Sequence, residues 1–127
     1  MKAKLLTALA AAAVLVGVVS CYHPYGYRLY PETPRFAPTH PAQVELLRRA
    51  PRAEHIRLGE VWIRPTYRMS RRYVESVLRE KAARMGADAL VIVADRYFGE
   101  RVEFSFWYGP RPVYDRHIVG IAIRYRR

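Results

Sequence analysis

Residues 70–97 read SRRYVESVLREKAARMGADALVIVADRY, and the rest of the chain is organised around them. Ser70 is a natural helix N-cap, because its hydroxyl can accept from an otherwise unpaired backbone N–H of the first turn. Val74, Val77, Leu78 and Met85, with Ala82 and the stem of Lys81, recur at the i, i+3, i+4 spacing of one helical face. Glu75 with Arg79, and Glu80 with Arg84, form acid-before-base pairs four apart on the wet side. Gly86 follows a basic last turn, where a chain leaving a helix enters the left-handed region. Burying the stripe contributes on the order of 6–12 kcal/mol before conformational entropy is counted. A helix this short is marginal alone in water, so it must dock. Its partner is residues 90–94, LVIVA. That run is β-branched and apolar without alternation, which suits a central strand covered on both faces. A buried helical segment would show the same pattern, but only three residues separate the run from the finished helix.

The chain's 127 residues allow one domain, and its N-terminus sets the compartment. Lys2 and Lys4 precede an uncharged apolar run over residues 5–19. As a helix that run spans about 22 Å, short of the roughly 30 Å hydrocarbon core of a bilayer. It ends at Val18, Val19, Ser20 and Cys21, which resembles a bacterial lipobox with valine in place of the commoner leucine. The resemblance implies that residues 1–20 are a signal peptide and that Cys21 becomes the lipidated N-terminus. Its thiolate is the nucleophile such lipidation needs, and it is the only cysteine of the chain. An ordinary secretory signal with a chance cysteine, or an uncleaved anchor, is the competing reading. Two or more acyl chains (palmitate or similar) anchor a protein stably. Tyr22, where inner-membrane retention would use aspartate, directs the default destination by resemblance to the outer membrane, facing the periplasm.

With Cys21 lipidated, no cysteine is left for a disulfide, so the core must suffice without one. Removing Lys2 and Lys4 lowers the net charge from +11 to +9 and leaves 19 arginines and one lysine. That balance attracts anions such as phospholipid headgroups, envelope glycans or nucleic acid, and export argues against nucleic acid. Eight arginines, Arg48, Arg49, Arg52, Arg57, Arg64, Arg68, Arg71 and Arg72, face only Glu54 and Glu60 within residues 48–72. Interleaved with Trp62, Tyr67 and Tyr73, they form a candidate surface for an anionic lipid, glycan or protein partner. A merely solvated basic face is the plainer alternative.

Residues 21–41 carry prolines at 24, 31, 34, 38 and 41, and are expected to form an extended tether outside the fold. The domain is then residues 42–127. It holds a short strand near residues 44–47 and a longer one over residues 56–63. The latter changes parity at Gly59 and Glu60, as a bulge would. The connection from it through the helix to Leu90 forms a β-α-β crossover, expected to be right-handed. Residues 98–100 read as a hairpin turn, and Val102, Phe104, Phe106 and Tyr108 as a half-buried strand. Residues 109–112, Gly-Pro-Arg-Pro, break that strand before a last one over residues 118–123. Gly120 and Ala122 on one face of it would let a helix approach closely. The expected fold is therefore α+β: a small mixed sheet of about four to five strands under one main helix, with an antiparallel C-terminal meander.

The elements LGEVWI, LREKAARMGADALVIV and GIAIRY resemble a group of small bacterial envelope domains. The group includes the lipoprotein sensor of the Rcs envelope-stress phosphorelay and the YbjQ-like domains described as heavy-metal-binding. The resemblance implies an envelope location and this fold, with Asp88 bonding local backbone amides. The chain lacks the sensor's domain cysteines. No catalytic signature of the G-x-S-x-G, Walker A, G-x-G-x-x-G or H-E-x-x-H kind occurs, so no enzyme, cofactor or catalytic residue is indicated. Metal sites need clustered ligands, and His55 beside Glu54 or His117 near Asp115 are too sparse to assign one. The reading is a non-enzymatic envelope module binding a protein or anionic partner, with a small-ligand or metal-binding module as the alternative.

Overall fold

The computed structural model of the chain describes residues 2–5 and 23–127, with residues 100, 101, 103, 105 and 111–114 described by their backbone alone. The signal-peptide assignment over residues 6–20 and the lipidation assignment at Cys21 fall outside the described residues.

The helix forms as its sequence dictates. It spans Arg71–Arg84 (α1), and Ser70 Oγ accepts from the Tyr73 N–H at 3.1 Å. Val74, Val77, Leu78, Ala82, Ala83 and Met85 are buried. Gly86 leaves the helix at φ +79°, where a Cβ would meet Phe36 and the Ala37 carbonyl at 2.7 Å. The partner run is indeed a strand, the start of a much longer one. The strands are β1 (Tyr25–Leu29), β2 (Glu45–Leu47), β3 (His55–Ile63), β4 (Ala89–Ser105) and β5 (Gly109–Tyr125). They form one mixed sheet in the order β1-β3-β5-β4-β2, with β2 and β4 parallel and every other pair antiparallel. The α+β class and the single docked helix are as expected. The crossover from β3 through α1 to β4 joins strands of the same direction, but β5 returns between them. Among the described residues the only parallel neighbours are β2 and β4.

The main core lies between α1 and one face of the sheet. It contains Leu58, Val61, Ile63, Leu90, Ile118 and Ala122 with the helix stripe. Ala89, Val91 and Ile123 are buried on the other face, whereas Val93 sits in a register shift and is exposed. Gly120 does make room, but for Leu90 of the neighbouring strand, whose side-chain carbons lie 2.7–3.0 Å from where a Cβ would stand. The register shift in β3 falls between Arg57 and Gly59, next to the expected position. Gly59 is required there because a Cβ would lie 2.2 Å from the Arg28 carbonyl oxygen of β1.

Three expectations are overturned. Residues 25–29, assigned to the tether, form β1, an edge strand on β3. The prolines at 24 and 31 bracket this run without entering it, so its N–H groups remain available for pairing. The rest of the segment is also fastened: Thr39 donates from its backbone to Ala83 and from Oγ1 to the Ala87 carbonyl, and the Arg124 guanidinium lies 4.4 Å from the Phe36 ring centroid. Next, residues 98–100 do not turn. Gly99, at φ +60°, occupies a bulge, β4 continues to Ser105, and the chain reverses at residues 106–108. Finally, residues 109–112 do not break a strand but begin β5, with Pro110 opposite Phe104 and Pro112 opposite Val102. Beyond Asp95 and Ile118 no third strand pairs with β4 or β5 among the described residues. The hairpin is there a free two-stranded ribbon, where proline is tolerated. The expected half-buried strand is consequently exposed: Phe104 is 78% and Phe106 86% accessible.

Candidate functional site

The N-terminal end of α1, the C-terminal end of β2 and the base of the ribbon enclose a cleft of about 500 Å³. Its floor is apolar, from Leu46, Val74, Leu78, Ile92 and Ile118. Its walls carry four arginines, Arg48, Arg71, Arg79 and Arg116, and two acids, Glu75 and Asp95, a local charge of +2.

The ion pairs inside are unevenly shared. Arg116 Nε and Nη2 donate to the two Asp95 oxygens at 2.8 Å each, a bidentate fork, and Arg48 stands 3.6 Å from the same carboxylate. The Arg116 hydrogen bonds hold the Asp95 carboxyl below the usual carboxylate range, against the opposing effect of its partial burial. Asp95 in turn raises Arg116. On the helix, Glu75 takes Arg71 at 3.1 Å rather than the expected Arg79, while the Glu80–Arg84 pair forms as expected at 3.0 Å. Arg79 therefore has no acidic partner among the described residues, and its Nε is buried without a hydrogen bond. A buried unsatisfied donor costs about 1–3 kcal/mol, more when charged. A ligand oxygen would remove that cost.

Of the eight arginines singled out in the sequence, Arg48 and Arg71 line this cleft. All eight are exposed. Arg64 follows the end of β3, and Arg68, over the Tyr67 ring at 5.7 Å, lies in the connection from there to the first turn of α1 with Arg72. Arg57 pairs in register with Ile123 at the opposite end, and Arg52 precedes β3 at that end. Arg49 follows β2 and makes no ion pair among the described residues. The candidate surface is thus divided between the two ends of β3. Arg79 and Arg116 were missed because one had been assigned to Glu75 and the other stands 45 residues beyond Arg71. An excess of arginine over acid in the helix was the available signal for Arg79.

The remaining candidates are dispersed. His55 Nδ1 contacts the Ala53 carbonyl at 2.8 Å, and the His117 ring stands 6.2 Å from that of Phe98. Among the described residues no three His, Cys, Asp or Glu side chains gather as metal ligands, and no helix is long and apolar enough to cross a membrane. Asp88 accepts from the Tyr125 N–H at 3.0 Å and from Arg127 at 3.1 Å, remote partners rather than the local amides expected. Comparison with protein-family models, curated proteins and solved structures finds no match to this chain.

Proposed function

We propose that the chain is a non-enzymatic lipoprotein of the bacterial outer membrane, anchored through lipid on Cys21 and facing the periplasm, whose domain binds an anionic group of an envelope component. The buried, unpartnered Nε of Arg79 in a cleft of charge +2 carries the binding half of this reading. Phosphate and carboxylate both match a planar guanidinium fork. Arg71 and Arg48 stand at the mouth, exposed enough to reorient toward a ligand. The lipobox-like residues 18–21 and the resemblance to envelope domains support the location.

Inorganic phosphate and a carboxylate-bearing glycan fragment serve as probes. Either should shift the Arg79 Nε–H resonance and weaken steeply with added salt. Arg79→Gln should reduce affinity at least tenfold. Binding that leaves Arg79 unperturbed sinks the cleft, and a salt-insensitive complex points to a packed protein interface instead. The volume of the cleft also admits a small free anion, the alternative reading. A small molecule retained through dialysis would favour it. For the anchor, Cys21→Ala should release the chain from membrane fractions.

A further inference from the structure

The outer half of the β4–β5 hairpin has two properties that folding does not need. Its tip exposes Phe106, Trp107 and Tyr108, at 86%, 83% and 78%. Its length is also disproportionate. From Asp95 to Phe106 the chain takes eleven steps, about 36 Å at strand rise, with no third strand beside it among the described residues.

The pairing register makes the ribbon two-faced. Past the bulge at Gly99, Val102 stands opposite Pro112 and Phe104 opposite Pro110, while the alternate positions pair Arg101 with Val113 and Glu103 with Arg111. The parity of Val102 and Phe104 is therefore apolar, and the sequence places charged residues at the alternate positions. Prolines 110 and 112 share a parity, and a paired proline is compatible with its ladder only where the missing N–H faces outward. The outer edge of β5 thus lacks donors at two positions, which disfavours strand addition by a second copy of the chain.

Topology says from which end of the sheet this ribbon projects. Tyr25 pairs with Ile63, Ile63 with Ile118, and Ile118 with Asp95. The chain before β1 therefore leaves the sheet at the same end from which the ribbon projects. The Arg64 N–H bond to the Pro24 carbonyl, at 2.7 Å, fastens it there. Cys21 is four residues before Tyr25, a reach of at most about 14 Å. Arg64, Arg68 and Arg72 decorate this end and complement anionic headgroups.

We infer that the β4–β5 ribbon is a bilayer-docking arm. It lies along an anionic phospholipid surface with its Val102–Phe104 face and aromatic tip in the headgroup–acyl boundary. This inference rests on membrane anchoring near Cys21 but not on the anion cleft. A 36 Å ribbon held by a 14 Å tether cannot stand upright on the surface. Pointing inward it would cross the hydrocarbon core with open strand edges, which lipid does not tolerate. Lying flat satisfies both lengths and places Trp and Tyr where amphipathic rings are favoured.

The test uses the full chain carrying Trp62→Phe, so that Trp107 is the sole tryptophan, mixed with phosphatidylglycerol vesicles containing brominated acyl chains. Flotation reports anchoring and Trp107 quenching reports the arm. Quenching of more than half, with Trp107 shielded from iodide, is the expected result, and Phe104→Ser with Phe106→Ser should reduce it at least twofold. A floating chain whose Trp107 is unquenched and open to iodide overturns the arm and leaves anchoring intact. So does protection of Trp107 that requires an added envelope protein. A Cys21→Ala chain that floats with Trp107 quenched supports the arm while removing the lipid. A chain that does not float overturns both.

Discussion

The two halves of one hairpin behave oppositely. In the inner half, Leu90, Ile118 and Ala122 are nearly inaccessible beneath α1, and Val91 and Ile123 are nearly inaccessible on the other face, between the flanking strands β3 and β2. In the outer half, Val102, Phe104 and Phe106 are 67–86% exposed on the same two strands. Chain direction and pairing are alike. The outer half interleaves its apolar residues with charged ones and, among the described residues, has no covering layer. Hydrophobic side chains become a core when something else supplies the opposite surface. Where nothing does, they form a contact surface for whatever lies outside the molecule.

This contrast can be broken most sharply at Leu90. Leu90→Ala leaves a void against Gly120 and the helix stripe and is expected to cost about 2–5 kcal/mol in denaturant unfolding. A loss below about 1 kcal/mol would mean that the inner half is no better packed than the ribbon. Ser70→Ala removes the Tyr73 N–H partner and should cost about 1 kcal/mol, seen as faster amide exchange in the first turn of α1. An unchanged first turn would show that docking alone fixes the start of the helix.

At the junction of the two halves, Asp95 should make stability acid-sensitive. Its carboxyl is depressed by Arg116, so it contributes stability that is present above the ordinary carboxylate value near 4. That contribution is lost as pH falls through the lower folded value, and for a partly exposed pair it amounts to about 1 kcal/mol or less. Asp95→Asn should flatten the unfolding curve below about pH 4 relative to wild type, and an unaltered slope would remove the pair from the account. The smallest effect belongs to the ribbon tip. Phe106→Ser should change unfolding free energy by no more than about 0.5 kcal/mol. A larger loss would place Phe106 in a core interaction and erase the contrast.

The same division runs through what could be read in advance. Ser70, the stripe from Val74 to Met85, and Gly86 were legible because caps, periodicity and left-handed exits are local, spanning a few residues of one element. The bulge near Gly59 was legible through its change of parity, although the reason for the glycine, the Arg28 carbonyl 2.2 Å away, was not. The arginine-lined cleft was half visible. Arg48 and Arg71 stood out in a basic segment, but Arg79 looked paired to Glu75 until Arg71 was seen to take that carboxylate. Arg116 entered only because β5 folds back beside Asp95. Residues 98–100 and 109–112 misled because glycine and proline punctuate turns, bulges and ribbon edges alike, and only pairing distinguishes them.

Local chemistry alone therefore determined the helix, its cap and exit, the strand that follows it, and the α+β class, since each depends on neighbours within a few residues. The tertiary structure decided the rest. It showed that a proline-flanked run becomes an edge strand, that β5 inserts between β3 and β4, and that four arginines from different elements surround one cleft. It also showed that a hairpin outgrows its sheet. Those outcomes depend on which distant segments meet, and the free energy of such meetings comes from burial and pairing that no short window of sequence contains.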